Sequence, residues 1–135
     1  MADYRLIFDG GSLGNPGKGY GSYRISRVAD GKRKTKRLEF GDRMTNNQAE
    51  YRALIAGLED LQGMVKAAGK STADYTVAIL GDSRLVVEQV KGRWKVRNAG
   101  LHPLNERAVE LIKSFGAATT VSWQPRERSV RVLGH

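Results

Sequence analysis

The sequence contains no cysteine and no long apolar run. The absence of cysteine excludes disulfides, thiolate metal sites and a cysteine nucleophile. No apolar stretch approaches the roughly 18 residues that a membrane span needs, and the chain does not open with a charged-then-apolar leader. We therefore expect a cytoplasmic protein with no membrane partner. The length of 135 residues predicts a single domain, residues 1–135, with one buried core.

Acidic residues are scarce relative to basic ones. The chain has 23 Lys and Arg against 14 Asp and Glu, which gives a formal net charge of +9. A small domain with this charge attracts polyanions, so nucleic acid is the first candidate partner. A generic cationic surface that maintains solubility is the alternative.

The hydrophobic pattern predicts five strands and three helices. The first three strands form a meander, with a hairpin at Asp30-Gly31 and a turn at Asp9-Gly10-Gly11. The last two strands connect through helices and therefore run parallel. This order predicts an α/β fold with a five-stranded mixed sheet flanked by helices on both faces. Strands are expected at 4–8, 19–28, 32–40, 75–80 and 119–123, and helices at 45–65, 85–90 and 103–115; no element is assigned to the last eleven residues.

Three carboxylates occupy the starts and ends of these elements. Asp9 follows the first strand, Asp82 follows the fourth, and Glu50 lies near the start of the long helix. Ligands of open α/β sheets gather at the carboxyl ends of strands. Each acid also has a structural interpretation: Asp9 in a turn, Asp82 as a helix cap, and Glu50 as a partner of the helix dipole.

Glu50 is the acid for which a structural role is hardest to sustain. It lies four and eight residues before Leu54 and Leu58, so it shares their inward-facing stripe. A carboxylate at the edge of a core needs a cation or a partner, or it becomes protonated. Hard divalent ions such as Mg²⁺ take oxygen ligands, and converging acids would make such a site. A metal site is therefore favoured over three unrelated structural roles.

Three segments of the chain resemble the main motifs of type 1 ribonuclease H. They are IFDGGSLGNPGKGYGSY (7–23), TNNQAEYRALIAGL (45–58) and GDSRLVVEQVKGRWKVRN (81–98). They occur in the family's order across nearly the whole chain, which is most similar to the compact prokaryotic branch. The resemblance implies a ribonuclease H-like fold and cleavage of the RNA strand of RNA/DNA hybrids, leaving 5′-phosphate and 3′-hydroxyl ends. It also leaves double-stranded RNA as a second candidate substrate, and we expect a monomer.

The resemblance assigns roles to individual residues. Asp9, Glu50 and Asp82 match the first three catalytic acids, which would share two Mg²⁺ ions, with Mn²⁺ as a substitute. Asn46 and Asn47 match residues that contact bases and 2′-hydroxyls. The remaining matches are a glycine-rich RNA-backbone turn (Gly11, Ser12, Asn15), a DNA-phosphate pocket (Arg43, Thr45, Asn98) and a cation-flanked aromatic (Trp94). Capping remains the alternative for Thr45, and packing under the loop for Trp94.

A run of cations between residues 32 and 37 has two interpretations. Lys32, Arg33, Lys34, Lys36 and Arg37 lie on or beside the third strand. Cations on an exposed strand prevent edge-to-edge pairing, which is the commoner explanation. They could also form a phosphate track distant from the acids.

The end of the chain departs from the family pattern. The family places a fourth acid eight residues after the proline of a Pro-Arg-Glu segment, and counting from Pro125 gives Leu133. No acid follows Glu127. The chain could end early, three acids could suffice, or Glu127, the His135 side chain or the His135 carboxylate could substitute. The resulting alternative function is a hybrid- or duplex-binding module with weak or no cleavage.

Overall fold

The computed structural model describes residues 1–134 and contains a five-stranded mixed sheet in the order β3-β2-β1-β4-β5. The strands β1, β2 and β3 pair antiparallel, whereas β4 runs parallel to β1 and β5 runs parallel to β4. The predicted sheet is therefore confirmed. The elements are β1 (Tyr4–Leu13), β2 (Gly17–Arg27), β3 (Arg33–Met44), α1 (Asn46–Ala67), β4 (Val77–Gly81), α2 (Arg84–Val90), α3 (His102–Ser114), β5 (Thr120–Trp123) and α4 (Arg126–Leu133).

The strand β1 is longer than the sequence predicts. Asp9, Gly10 and Gly11 do not form a turn, because β1 continues through them and stays paired with β2 as far as Leu13. The reason is the packing of α1 against this strand. A side chain at Gly10 would overlap the backbone carbonyl of Ala49, so glycine here permits close approach of helix and strand. The prediction of a turn at 9–11 was wrong for this reason.

Helix α1 begins as the sequence predicts. The Thr45 hydroxyl accepts a hydrogen bond from the backbone N–H of Gln48 (3.1 Å), and the Gln48 side chain accepts one from the Thr45 N–H (2.9 Å). This reciprocal pair satisfies two N–H groups that would otherwise lack partners at the helix start. The helix then buries Leu54, Leu58 and Leu61 against the sheet. No helix within residues 1–134 has both the length and the apolar character needed to cross a membrane.

The last segment forms a helix, α4, which the sequence analysis did not predict. Gly134 takes a left-handed conformation (φ 80°) and donates its N–H to the Val130 carbonyl, which ends the helix. Ser129 and Leu133, four residues apart, are buried on one side of it. Arg37 pairs with Ser22 of β2, and both residues face away from α1. The Arg37 side chain donates to the Leu133 carbonyl (3.2 Å). The helices therefore flank both faces of the sheet, with α1 on one and α4 on the other.

Candidate active site

Asp9, Glu50 and Asp82 converge at one end of the sheet. Each offers a carboxylate oxygen, and these oxygens all lie within 4.8 Å of one another. Asp9 and Glu50 are only 3% and 6% exposed, and Asp82 is half-buried. Among residues 1–134, this is the only group of three or more potential metal ligands.

The fold brings the three acids together through β1, β4 and α1. Parallel pairing sets Phe8 opposite Gly81, so the residues that follow them, Asp9 and Asp82, emerge side by side. Glu50 approaches from α1, and its Oε1 accepts a hydrogen bond from the backbone N–H of Gly10 (2.9 Å). The carboxylates are thus held by two neighbouring strands and a helix rather than by flexible loops.

Burial and mutual repulsion disfavour the ionised forms of these acids. Burial, a hydrogen bond with Asp9 and the charge of Asp9 raise the pKa of Glu50 well above its usual value. Burial and the charge of Asp9 raise the pKa of Asp82 to about 6, although the positive charge of Arg126 acts in the opposite direction. Clustered carboxylates of this kind require protons or cations to compensate them.

Two oxygens of the cluster have no hydrogen-bond donor. Glu50 Oε2 and Asp82 Oδ2 are buried and unpartnered within residues 1–134. A buried carboxylate oxygen without a donor is costly, and a bound cation relieves that cost. Hard divalent ions prefer such oxygen ligands, so the donor set fits Mg²⁺ or Mn²⁺.

The glycine-rich segment and the start of α1 are locked together beside the acids. Asn46 Oδ1 accepts hydrogen bonds from both the backbone N–H (2.9 Å) and the hydroxyl (3.0 Å) of Ser12. The Asn46 N–H donates to Asn15 Oδ1 (3.1 Å). At Gly11, an added side chain would meet the Tyr20 hydroxyl at 2.6 Å. The structure therefore brings Gly11, Ser12, Asn15 and Asn46 into one group.

A second group of the predicted residues lines an open cleft of about 620 Å³. Asn47, Trp94 and Asn98 all contribute to its walls. Trp94 is 47% exposed, which is more than packing under the loop would leave. Three cations, Arg93, Lys95 and Arg97, also line this cleft, which makes it electropositive.

Two of the three residues predicted to bind a DNA phosphate, Thr45 and Asn98, lie near each other. Asn98 Oδ1 caps a short 3-10 helix by accepting from the Gly100 N–H (2.8 Å). A Cβ at Gly100 would lie 3.1 Å from Asn98 Oδ1 and 3.4 Å from Gln48 Nε2, so Asn98 lies close to the capped start of α1 at Thr45. Arg43 is exposed and has a left-handed backbone (φ 60°), which is uncommon for a residue with a side chain.

The structure also locates the residues considered as a fourth ligand. Leu133 is 2% exposed, and its side chain is apolar, so it contributes no ligand. Glu127 is exposed in the first turn of α4 and is not part of the carboxylate group. His135 lies outside the described residues.

Three further residues near the acids were missed by sequence reasoning. Arg126 influences Asp82 across the end of the sheet. Arg84 stacks its guanidinium 4.5 Å from the centre of the Trp123 ring, and the Trp123 indole N–H donates to the Asp82 carbonyl (3.0 Å). The cation-rich sequence around residues 123–128 indicates that Arg126 could act on an anion. Its effect on Asp82, and the contacts of Arg84 and Trp123, follow only from the placement of α4 and β5.

Comparison with known proteins agrees with this geometry. The family model described as reverse transcriptase-like matches residues 8–132. A bifunctional protein of Mycobacterium tuberculosis is 42% identical over 122 residues, which cover 90% of this chain and 31% of the relative. Ribonuclease HI of Halobacterium salinarum is 36% identical over 111 residues, covering 80% of this chain and 50% of the relative. The chain therefore spans half or less of the length of these curated relatives.

Solved structures match the fold over nearly the whole of this chain and most of their own length. RNase H1 from Halobacterium salinarum is 34% identical, with a TM-score of 0.77, and the match covers 96% of this chain and 92% of that one. LC11-RNase H1, solved in complex with an RNA/DNA hybrid, is 29% identical with a TM-score of 0.82, covering 95% and 89%. The N-terminal RNase H domain of the Mycobacterium tuberculosis protein is 36% identical with a TM-score of 0.77, covering 96% and 95%. The chain belongs to the type 1 ribonuclease H family.

Proposed function

We propose that this domain is an endonuclease that hydrolyses the RNA strand of RNA/DNA hybrids. The observation that carries the proposal is the convergence of Asp9, Glu50 and Asp82, with two buried oxygens that lack donors. The net charge of +9 favours a polyanionic substrate. The hybrid bound to LC11-RNase H1 supports the same substrate class here.

In this proposal Asp9, Glu50 and Asp82 hold two Mg²⁺ ions, for which Mn²⁺ can substitute. Bound ions would supply Lewis-acid polarisation of the scissile phosphate and a water of lowered pKa, and the proposed hydrolysis would leave a 5′-phosphate and a 3′-hydroxyl. The protein supplies rigid placement, because Glu50 is tied to the Gly10 N–H and both aspartates are anchored by β1 and β4.

The group of polar residues beside the acids suits recognition of RNA. Both hydrogen bonds from Ser12 go to Asn46 Oδ1, which fixes the Asn46 amide, and its Nδ2 would be the donor for the RNA. An oriented amide donor can read a base edge or a 2′-hydroxyl, and the 2′-hydroxyl is what distinguishes RNA from DNA. Any contact of Gly11 with the RNA would be made by its main chain, because the Tyr20 hydroxyl lies 2.6 Å from the place of an added Cβ.

The electropositive cleft is the proposed path of the DNA strand. Arg43, Thr45 and Asn98 would donate to one DNA phosphate, and Trp94 would stack on a sugar or base next to it. Gln89 supports this path, because its side chain donates to the Lys95 carbonyl (3.2 Å) and accepts from the Tyr51 hydroxyl (2.7 Å). The Trp94 loop is thereby tied to α1.

A second candidate function is binding of hybrids or duplexes with little cleavage. The observation that favours it is Leu133, a buried apolar side chain at the position where the family pattern expects a fourth carboxylate. The ions would then have only three carboxylate ligands from the side chains of residues 1–134. The loss of a fourth carboxylate would weaken metal binding rather than nucleic-acid binding.

A cleavage assay on end-labelled duplexes separates the two functions. An RNA/DNA hybrid, a double-stranded RNA and a double-stranded DNA are each incubated with Mg²⁺, Mn²⁺ or chelator. We expect metal-dependent cutting of the hybrid's RNA strand, with 5′-phosphate ends and no cutting of DNA. Salt-sensitive binding without products under either metal would establish the binding module instead.

A further inference from the structure

Between residues 33 and 37 of β3, the arginines and the lysines lie on opposite faces of the sheet. Directly paired residues of neighbouring strands share a face, and successive residues along a strand alternate. The α1 face carries Lys34, paired with Ile25, and Lys36, paired with Tyr23. The opposite face, which α4 partly covers, carries four arginines that we call the arginine face: Arg5, Arg24, Arg33 and Arg37.

The two sets of cations differ in how they are neutralised. Lys34 forms a salt bridge with Asp60 (2.9 Å). None of the four arginines forms a salt bridge within residues 1–134. Arg24 donates to the Thr35 hydroxyl (2.7 Å), and Arg37 donates to the Leu133 carbonyl, so both guanidinium groups are oriented, and neither contacts a carboxylate of residues 1–134 in a salt bridge. Each guanidinium has five N–H donors, most of which remain for a ligand.

Protection of the sheet edge does not account for this set. Cations that prevent edge pairing belong on an edge strand. Only Arg33 and Arg37 lie on the edge strand β3, whereas Arg24 lies on β2 and Arg5 on β1, the middle of the sheet. Glu39 also lies on this face, but it forms no salt bridge with the four arginines within residues 1–134, and a positive surface that extends onto interior strands is better explained by an anionic ligand.

Helix α4 lies between the candidate active site and most of the arginine face, because it runs from Arg126, whose charge acts on Asp82, to Leu133, whose carbonyl accepts from Arg37. Asp9, Ser22 and Arg37 form one row across β1, β2 and β3. Arg5 and Arg33 lie in the row four residues further along the strands, which corresponds to about 13 Å. Ser22, in the middle of the first row, is fully buried, so a strand of nucleic acid that leaves the acids on this side has to pass around α4 before it meets the arginines.

The geometry points to a binding surface for single-stranded nucleic acid: we propose that the arginine face holds the phosphodiester backbone of a single strand that extends from a hybrid at the acids. The proposal rests on the proposed function. Guanidinium groups match phosphate geometry through paired N–H donors. A duplex persists over about 150 base pairs and does not bend around α4 within about 13 Å, whereas a single strand does.

Binding measurements in chelator, where no cleavage occurs, test the proposal. The ligands are a blunt hybrid, the same hybrid with an overhang of about 10 nucleotides of RNA or of DNA, and a blunt hybrid lengthened by the same amount. We expect at least one overhang to tighten binding by wild type. The variant Arg5→Gln/Arg24→Gln should lose most of that gain, and its slope of log affinity against log salt should fall by about 1.4, for two phosphate contacts.

The matched control removes the same charge from the other face of the sheet. Lys34→Gln/Lys36→Gln should retain the gain from the overhang, and thermal unfolding should show that both variants are folded. Equal losses in the two variants, no gain from either overhang, or an equal gain from the lengthened blunt hybrid would each overturn the proposal. Failure of wild type to bind or cut the blunt hybrid would instead overturn the proposed function, whatever the overhangs do.

Discussion

Glu50 Oε1 accepts a hydrogen bond from the backbone N–H of Gly10 at 2.9 Å, which joins the long helix to the central strand at the carboxylate group. This contact exists only because residue 10 has no side chain, since any Cβ there would overlap the carbonyl of Ala49. The position of one metal-ligand candidate thus depends on a glycine in the adjacent strand.

Gly10→Ala should damage both stability and the site. The added methyl forces α1 away from β1, and overpacking of this kind costs about 1–3 kcal/mol in the free energy of unfolding. The same displacement should weaken Mg²⁺ binding measured by calorimetry. Gly63→Ala is the matched control, because nothing lies within 4 Å of an added Cβ there and Gly63 is within α1. It should stabilise the domain by about 0.5–1 kcal/mol; equal behaviour of the two variants would refute the packing argument.

The raised pKa values predict how the metal-free domain responds to pH. Asp82 has a pKa of about 6 when folded, and the pKa of Glu50 is also raised, so the folded state binds more protons than the unfolded chain. Their contribution to stability is therefore present at low pH and is lost as pH rises through about 6. Asp82→Asn should remove part of this loss. The Tm of the variant minus the Tm of wild type should therefore increase from pH 5 to pH 7. A constant difference would contradict the assigned shift.

Arg126 should tune the pH at which Mg²⁺ binds. Its positive charge lowers the pKa of Asp82 against the effect of burial. Arg126→Gln should therefore move the pH midpoint of Mg²⁺ binding upward, because Asp82 must lose its proton to coordinate the ion. Arg128→Gln removes the same charge from an exposed position of α4 and serves as the control. An identical midpoint in Arg126→Gln and wild type would show that Arg126 does not influence the site.

Leu133→Asp tests whether the fourth-acid position reaches the site. If it does, the new carboxylate should increase Mg²⁺ affinity or the rate of hybrid cleavage. It should also destabilise the metal-free domain, because Leu133 is 2% exposed and a buried unpaired carboxylate is costly. Added Mg²⁺ should then recover part of that stability. Val130→Asp, at a 38% exposed position of the same helix, should change neither the Mg²⁺ affinity nor the stability of the metal-free domain. An unchanged Mg²⁺ affinity and cleavage rate in Leu133→Asp would count against the assignment.

Much of the fold follows from periodicity, and the failures have local causes. The stripe that Glu50 shares with Leu54 and Leu58 predicted its burial, and the Thr45–Gln48 pair predicted the start of α1. The turn predicted at 9–11 was wrong. Consecutive glycines are typical of a turn, but they also occur in a strand against which a helix packs closely, as they do here. The helix α4 was not predicted, because its eight residues have apolar side chains only at Val130, Val132 and Leu133, which is too few for a helical period.

The candidate site was less predictable than the fold where it depends on contacts between distant segments. Asp9 and Asp82 could be expected side by side, because parallel strands place their carboxyl ends at one edge. The orientation of Asn46 by Ser12 and the effect of Arg126 on Asp82 require knowledge of how loop, helix and sheet end meet. The segregation of arginine and lysine on β3 likewise becomes meaningful only when the register is known.

The most direct test of the central claim compares wild type with Asp9→Asn on a labelled RNA/DNA hybrid in the presence of Mg²⁺. The substitution keeps the size of the side chain but removes a carboxylate oxygen ligand from the centre of the group. We predict that cleavage of the RNA strand is abolished while binding of the hybrid persists. Unchanged cleavage by Asp9→Asn would contradict the assignment of this carboxylate group as the catalytic metal site.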